Sequence, residues 1–337
     1  MLAEMNSTDA AEMTGIEDLA ALCKAGGDRL RMEILQVLRQ DSLAVQELCA
    51  IFDIRQPAMS HHLKLLAGAG LLTTRREGNS IYYRRAALEQ RNDLLGLQTS
   101  LFETLDRMPL AEEHQHELDA VHKARQLTSQ QFFRQNADKF RAQQDLIASY
   151  EQYAETVASM LRDLPLEGNG LALEVGPGDG RFLVELAPHF QRVVALDSAE
   201  LMLEQSRDLA RGAGLENIEF ILGDTRHPAL APLQADCIVV NMVLHHNPSP
   251  AGIFEDLAGC LGDGGVLLVT DLCQHDQDWA REACGDLWLG FPPEDLESWA
   301  GNAGLAEIAS TYLAQRNGFQ VQVRLFGHQS KYEENKV

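Results

Sequence analysis

Hydrophobic and polar positions follow two different rhythms along the chain, and the change falls near its middle. In the first part, apolar residues recur at helical spacing, as at Met59, Leu63 and Leu66. The elements predicted there are two helices within Ile16–Gln40 broken at Gly26-Gly27 with Asp28 as an N-cap, helices Val45–Phe52, Gln56–Ala67 and Ala86–Asp106, and strands Leu71–Arg76 and Ser80–Arg85 around a turn at Glu77-Gly78-Asn79. This order predicts a winged helix-turn-helix.

In the second part, strands and helices alternate. The predicted strands are Leu171–Val175, Val193–Leu196, Ile218–Leu222, Cys237–Val240 and Gly265–Thr270, with helices Phe182–Leu186, Glu200–Ala210 and Ile253–Leu261 between them and more helix upstream over Gln131–Arg162. A last segment, Phe319–Phe326, alternates apolar and polar residues and is predicted to be an edge strand. Strands that alternate with helices predict a parallel α/β sheet of the Rossmann-like kind.

A length of 337 residues also favours two domains. We expect a flexible N-terminus over residues 1–15, a mainly α winged-helix domain for DNA binding and dimerisation over 16–106, a linker over 107–130, an α/β domain over 131–328 and a tail over 329–337. The linker is expected because Pro109 and the acidic, His-containing stretch Glu112–His122 interrupt the apolar pattern.

Charge is distributed unevenly. The whole chain carries a net charge of −22, yet the window Ile54–Arg85 has six basic residues against the single acid Glu77. Local charge, not the overall balance, decides whether a surface attracts phosphates. The acidic remainder would discourage non-specific coating of DNA, so that DNA binding would depend on this one basic window.

The sequence gives no sign of a membrane or a disulfide framework. No apolar run approaches the length of a membrane span, and Met1–Asp9 lacks the features of a signal peptide, so we expect a cytoplasmic protein with no membrane partner. The six cysteines form no C-x-x-C pair, and reduced, mostly buried thiols are expected.

The run Arg55-Gln-Pro-Ala-Met-Ser-His-His-Leu-Lys-Leu-Leu66 resembles the recognition helix of the ArsR/SmtB family of bacterial regulators. This resemblance implies a double-stranded DNA operator as partner and a homodimer formed by Ile16–Cys23 and the stripe Leu94, Leu97, Leu101 and Leu105. The expected DNA-binding residues are Arg55, Gln56, Pro57, Ser60, His61, His62, Lys64, Arg75 and Arg76. The alternative is a protein-binding winged helix with a solvated basic face.

Metal sensing, which occurs in that family, is not expected here. Family members that sense metals carry a Glu-Leu-Cys-x-Cys run, whereas this chain has Glu47-Leu-Cys-Ala-Ile51, and one thiolate cannot hold a soft metal ion unaided. The group His114, His116, Glu117 and His122 has no convincing ligand spacing and is expected to lie in the solvated linker. We therefore expect no metal.

The run Leu173-Glu-Val-Gly-Pro-Gly-Asp-Gly180 is a strand that ends in a glycine-rich turn, where the backbone can approach a ligand closely. Ala172–Arg181 resembles the first motif of class I S-adenosylmethionine methyltransferases, which implies S-adenosylmethionine or S-adenosylhomocysteine as the bound ligand. Carboxylates in such a turn suit a cationic ammonium and would repel the phosphates of a dinucleotide. The expected ligand-binding residues are Glu174, Gly176, Pro177, Gly178, Asp179, Gly180, Asp197, Ser198, Asp224, Thr225 and Asn241.

Two functions are compatible with this combination. In the first, the chain is a transcription regulator whose methyltransferase-like domain senses the adenosyl ligand; the arrangement resembles S-adenosylhomocysteine-responsive regulators, which control methionine-cycle genes. In the second, the domain is an active small-molecule methyltransferase, with His245 or His246 as candidate bases. Arsenite as acceptor is not expected, because Cys237 and Cys260 fall in a strand and a packing helix. We favour the sensor, since helix Ala86–Asp106 could connect the two halves.

Overall fold

The computed structural model describes residues 15–77, 80–86, 93–162 and 170–329. The expected N-terminal segment up to residue 14, the turn residues Gly78-Asn79, residues 87–92 of the predicted helix and the tail from residue 330 lie outside the described residues. Contacts divide the chain into two compact units, Met1–Val121 and His122–Val337. No helix in the described ranges has the length and apolarity needed to cross a membrane.

The first unit is a winged helix-turn-helix, as predicted. Its elements are α1 Ile16–Gly26, α2 Arg29–Val37, β1 Leu43–Ala44, α3 Val45–Phe52, α4 Gln56–Gly68, β2 Leu72–Glu77, β3 Ser80–Arg85 and α5 Leu95–Asp106. Asp28 caps α2, where its Oδ1 accepts a hydrogen bond from the Arg31 amide at 3.0 Å. The two-residue strand β1, which the sequence did not predict, pairs with β3 and completes a three-stranded antiparallel sheet in the order β1-β3-β2.

Helix α6, Glu112–Ile147, corrects the expected linker. The stretch Glu112–His122 is helical, and its residues four apart, His114 and Leu118, are both buried. The His114 ring packs on Phe52 with the ring centroids 4.5 Å apart, and Leu118 joins the core formed around Met59. One face of the helix therefore belongs to the winged-helix core, whereas His116 and Glu117 on its other side are exposed, as expected of a solvated stretch.

The second unit is a Rossmann-like α/β domain. After α6 its elements are α7 Tyr150–Arg162, β4 Leu171–Val175, α8 Arg181–Leu186, β5 Arg192–Asp197, α9 Glu200–Gly212, β6 Ile218–Leu222, β7 Ala235–Asn241, α10 Pro250–Ala258, β8 Leu261–Leu272, α11 Trp279–Cys284, α12 Pro293–Asn302, β9 Leu305–Ala314 and β10 Gln320–His328, with 3₁₀ turns at Ala187–His189 and Leu244–His246. The sheet order is β6-β5-β4-β7-β8-β10-β9. Strands β4 to β8 pair in parallel, and β10 runs antiparallel to both of its neighbours.

This topology confirms the predicted α/β class and positions the ligand site. The strand order reverses at β4, with β5 on one side and β7 on the other, so a crevice opens beyond the carboxyl ends of these strands. All six cysteines are free thiols, and those of Cys237, Cys260, Cys273 and Cys284 are buried.

Strand β10 is not the edge strand that its alternation predicted, because β9 lies outside it. Its polar position Arg324 is fully buried, and its guanidinium forms ion pairs with Glu297, at 2.7 Å, and with Glu307. The same side chain donates to the Pro293 carbonyl at 2.8 Å. The polar face of the strand is therefore covered by α12 and neutralised, whereas the sequence pattern indicated solvent.

Replacing Arg324 tests this placement. Arg324→Met leaves Glu297 and Glu307 without their cation, and we expect unfolding of the second unit to become easier by about 3 kcal/mol. All three tryptophans, Trp279, Trp288 and Trp299, lie in this unit, so urea unfolding followed by tryptophan fluorescence reports on it. The exposed Arg316→Met is the matched control and should change little; an equal effect of both substitutions would contradict the assignment.

Candidate functional site

The glycine-rich turn between β4 and α8 has three left-handed residues, with φ of 67° at Gly176, 59° at Gly178 and 83° at Gly180. Packing requires two of them: a Cβ on Gly176 would lie 2.5 Å from Val243 Cγ2, and one on Gly180 would lie 2.8 Å from Ser206 Cα. Gly178 differs, because nothing lies within 4 Å of the position its Cβ would take. The turn therefore leaves open space at Gly178, where a ligand can approach the backbone.

Glu174, the last residue but one of strand β4, has a buried carboxyl group. Its side chain is 2% exposed and its Oε2 has no hydrogen-bond partner among the described residues. Burial, reinforced by the negative charges of Asp179 and Asp197, raises its pKa to about 8. A cationic group placed beside this carboxyl would favour its ionised form.

Asp197 stands at the end of β5, beside the glycine turn. Its Oδ1 accepts the Ala199 amide at 2.8 Å, and the amides of Gly178 and Ser198 also donate to the carboxylate. Burial raises its pKa to about 6, against the lowering effect of these hydrogen bonds. The acid at the end of the second strand of this unit is therefore held against the glycine turn.

A cavity of about 520 Å³ opens next to these groups, at the carboxyl ends of β5 and β6. It is lined by Gln126, Ser198, Ala199, Glu200, Leu201, Met202, Glu204, Leu222, Gly223 and Asp224. Two of the predicted site residues, Ser198 and Asp224, are among them. Gln126 on α6 is a lining residue that the sequence reasoning missed, since nothing in a long polar helix indicates which residue faces a cavity.

Two other predicted residues, Asp179 and Thr225, interact with side chains that do not line the cavity. Asp179 forms an ion pair with Arg181, Nε to Oδ2 at 3.0 Å, and the same guanidinium stacks on the Tyr150 ring at 4.6 Å. The Thr225 hydroxyl is hydrogen-bonded to Asp256 on α10. Pro177 has a structural role in the turn, where its carbonyl accepts the Gly180 amide at 2.9 Å. These contacts shape the walls of the site, and the structure does not direct these side chains into the cavity.

The end of β7 is the third part of the site. Both side-chain polar atoms of Asn241 are buried without a hydrogen-bond partner in the part of the chain described. The next residue, Met242, has a φ of 57°, a left-handed conformation that costs a residue with a Cβ about 1–3 kcal/mol. Backbone strain and buried polar atoms without a partner are features that cluster at binding sites, so Asn241 stays a candidate site residue.

The candidate bases His245 and His246 lie in the 3₁₀ turn that follows, and both are buried. Nδ1 of His245 lies 2.8 Å from Asp271 Oδ1, and Nε2 lies 3.9 Å from Asp286 Oδ1. Burial alone would lower the pKa of His245, but the two carboxylates raise it to about 9; the pKa of His246 is lowered well below its usual value by burial and by His245. Burial raises the pKa of Asp286 to about 7.

The predicted DNA-reading residues are mostly brought together on one helix. Arg55 is the N-cap of α4, and the side chains exposed on this helix and at its start are Arg55, Gln56, Pro57, Ser60, His61 and Lys64. On the wing, Arg76 is exposed and Arg75 half-buried. His62 departs from the prediction: it is half-buried, and its Nδ1 lies 4.0 Å from the capping residue Asp28. Arg85, counted in the basic window, is buried in a 2.7 Å ion pair with Asp106.

Comparisons with known proteins match the two units separately. Residues 27–75 match a family described as a helix-turn-helix domain, and residues 173–269 match a family described as a methyltransferase domain. The second range begins within β4 and ends within β8, and it contains the glycine turn and Asn241.

Relatives show the same division. The chain is 37% identical over 68 residues to the arsenical resistance operon repressor of Staphylococcus aureus, which covers 20% of this chain and 65% of the relative. It is 35% identical over 123 residues to the trans-aconitate 2-methyltransferase of Methylobacterium radiotolerans, which covers 35% of this chain and 44% of the relative. The chain thus spans less than two thirds of either relative.

Among solved structures, the N-methyltransferase NodS of Bradyrhizobium japonicum, in complex with S-adenosylhomocysteine, is similar at 18% identity and a TM-score of 0.44, over 56% of this chain and 98% of that one. The domain matches and the observed topology agree with each other. The chain therefore joins an N-terminal helix-turn-helix domain to a C-terminal domain that matches the methyltransferase family and has a mostly parallel, Rossmann-like sheet.

Proposed function

We propose that this protein is a DNA-binding regulator whose methyltransferase-like domain binds S-adenosylmethionine or S-adenosylhomocysteine as an effector. The observation that carries the proposal is the continuity of α6, Glu112–Ile147. Its first turns contribute His114 and Leu118 to the winged-helix core, and a later turn contributes Gln126 to the wall of the cavity.

The chemistry of the cavity region supports an adenosyl amino acid. The unpartnered carboxyl of Glu174 and the amide of Asn241 suit the ammonium and carboxylate of an amino acid near Gly178. Asp197 suits a ribose diol at the end of the second strand, and the hollow lined by Leu222 and Asp224 suits adenine. A dinucleotide would place phosphates beside two carboxyl groups, so we disfavour it.

Next to Gln126, helix α6 has further contacts within the second unit. Arg125, next to Gln126, stacks on the Trp288 ring at 5.0 Å and donates to the Pro248 carbonyl at 3.0 Å. A ligand that contacts Gln126 would therefore bias a helix that is also part of the DNA-binding unit. The predicted connection through Ala86–Asp106 is replaced by this one, because α5 ends at Asp106 and α6 crosses the unit boundary.

A homodimer is part of the proposal. Apolar side chains are exposed at both ends of the winged-helix unit: Ile16 is 77% exposed, Leu19 39% and Leu97 46%. Leu105, expected on the same stripe as Leu97, is buried in the core of its own unit. Pairing through α1 and the exposed side of α5 would cover the three exposed residues and place two α4 helices on one operator. We further propose methionine-cycle genes as targets, which rests on the resemblance of the domain arrangement.

Active methyl transfer is the second candidate, favoured by the likeness to trans-aconitate 2-methyltransferase. Methyl transfer requires mainly positioning, so few catalytic groups are needed. Against it, the ring of His245 is fully buried, although Asp271 contacts its Nδ1 as a carboxylate that orients a general base would. Incubation of the protein with methyl-labelled S-adenosylmethionine and cell extract separates the two: a labelled small-molecule product favours the enzyme.

The sensor makes a direct prediction. S-adenosylhomocysteine or S-adenosylmethionine should change affinity for a duplex enriched from a random-sequence library by about 5- to 150-fold, the range of a coupling of about 1–3 kcal/mol. A gel-shift titration at fixed salt measures it. Asp197→Ala should bind DNA normally and lose the response, since the loss of this acid removes the proposed ribose contact. An unchanged affinity with both ligands would overturn the sensor.

We expect the ionised carboxyl group of Glu174 to lower the stability of the folded protein and to strengthen ligand binding. Its folded pKa of about 8 is above the ordinary 4.5, so the stability it contributes is present below pH 4.5 and is lost as the pH rises through 8. Glu174→Gln cannot ionise and should raise the melting temperature at pH 8, by about 2–4 °C for each kcal/mol recovered, but much less at pH 5.

Tryptophan fluorescence follows that transition in the second unit, and the exposed Glu185→Gln is the matched control. The same Glu174→Gln variant should lose affinity for S-adenosylhomocysteine, because an amide attracts an ammonium less than a carboxylate does. A variant that is both no more stable than wild type at pH 8 and fully able to bind would contradict the role of Glu174.

Lys64 tests the DNA surface independently of the ligand. Lys64→Ala should weaken duplex binding and reduce the slope of log affinity against log salt by about 1, since one phosphate contact is lost. Fluorescence anisotropy at several salt concentrations measures the slope, and the exposed Lys24→Ala on α1 is the control. Equal slopes for Lys64→Ala and wild type would remove Lys64 from the interface; ligand affinity should not change in either variant.

A further inference from the structure

A compact group of metal-ligating side chains lies one turn beyond the ligand site. His245 and His246 belong to the 3₁₀ turn after β7, and Asp286 lies in the loop after α11. One ligand atom from each residue lies within 4.8 Å of the others, and all three side chains are buried. We propose that His245, His246 and Asp286 bind a divalent transition-metal cation of the zinc class.

The spacing of the ligand atoms supports an ion. Nε2 of His245 and Oδ1 of Asp286 are 3.9 Å apart, which is too long for a hydrogen bond. Two ligand atoms that each lie about 2.1 Å from a tetrahedral zinc ion are about 3.4 Å apart, so a shared ion would draw these two atoms about 0.5 Å closer together. Neither Nε2 of His245 nor either oxygen of Asp286 has a hydrogen-bond partner among the described residues.

The charges around His245 are compatible with a bound cation. Two buried carboxylates, Asp271 and Asp286, flank His245, at 2.8 and 3.9 Å from its two ring nitrogens. A divalent cation coordinated by neutral imidazoles can take the place of the imidazolium charge that otherwise lies between the two carboxylates. Arg281 also faces Asp286, but its Nη1 donates to the Leu287 carbonyl at 2.7 Å. The guanidinium of Arg281 beside Asp286 is compatible with a metal ion between Asp286 and the two histidines.

Asp271 orients His245 for this role. Its carboxylate accepts the Leu244 amide at 2.9 Å and the Leu272 amide at 2.7 Å, in addition to the contact with Nδ1 of His245. With Nδ1 as the donor, Nε2 carries the lone pair and points toward Asp286. Metal-ligating histidines typically have such a carboxylate behind them, which fixes the ring and its tautomer.

Nitrogen and oxygen ligands suit zinc and its first-row neighbours, while three protein ligands leave a fourth position for water or another ligand. The turn that carries the histidines also carries Val243, the residue against which Gly176 packs. The ion would therefore tie this wall of the ligand turn to the loop after α11. This expectation departs from the absence of a metal expected from the sequence, where the His-His pair was considered only as a base.

Metal content tests the site without any assay of activity. The full-length protein is stripped with a chelator, dialysed against Zn²⁺ or Co²⁺ and analysed by mass spectrometry for metal. We expect about one ion per chain, with visible Co²⁺ absorption in the range of low-coordinate sites. Asp286→Asn should lose the ion, and Asp271→Asn should weaken its binding by about 10- to 100-fold.

The exposed His189→Ala is the matched control and should retain the ion. Tryptophan fluorescence melting verifies that Asp286→Asn is folded. His246→Gln provides a second test if that variant does not fold. Failure of the wild-type protein to retain an ion, or retention by the folded Asp286→Asn and His246→Gln variants, would overturn the proposal. Neither result depends on whether an adenosyl ligand binds.

Discussion

Glu174 places a carboxyl group at the buried end of the first strand of the α/β domain, where burial raises its pKa to about 8. Asp197 ends the neighbouring strand with a pKa of about 6, and the two negative charges disfavour each other. The sheet imposes this proximity, because parallel strands that diverge at β4 bring their carboxyl ends to the same edge. A cationic ligand that fits beside Gly178 would offset the cost of ionising these two buried carboxyl groups. The attraction between ligand and carboxylates would then contribute to the free energy of binding.

The rest of the proposed mechanism depends on transmitting that binding. The proposed ligand contacts and the proposed DNA contacts lie in different units, and the chain separates their charges as well: the exposed cations Arg55 and Lys64 are at α4, whereas carboxyl groups dominate the proposed ligand site. Helix α6 contributes side chains to the core of one unit and to the cavity of the other. A helix shared in this way allows a coupling free energy between two distinct sites, which is the physical requirement for allosteric control.

Much of the fold and part of the candidate site could be predicted from the sequence, because these features depend on local chemistry. The glycines of the β4–α8 turn need left-handed backbone, Asp28 is a strong N-cap, and Met59, Leu63 and Leu66 recur at helical spacing. These signals depend only on neighbours along the chain.

The errors arise where distant residues decide the environment. Arg324 looks like a solvent-facing position until α12 supplies Glu297, and His114 looks solvated until Phe52 covers it. His62 lies on the recognition helix, but Asp28 lies against its ring. Asp286 gave no signal at all, since it meets His245 only through the fold.

The central claim is that the acid-lined crevice binds a cationic adenosyl amino acid. Isothermal titration calorimetry of the purified chain with S-adenosylhomocysteine and S-adenosylmethionine, between pH 6 and 8, tests it most directly. The account predicts saturable binding of at least one of the two that strengthens as the pH rises toward 8, with release of protons, because the ligand ammonium selects the ionised form of Glu174. No binding of either compound at pH 8, or binding that weakens as the pH rises, would contradict it.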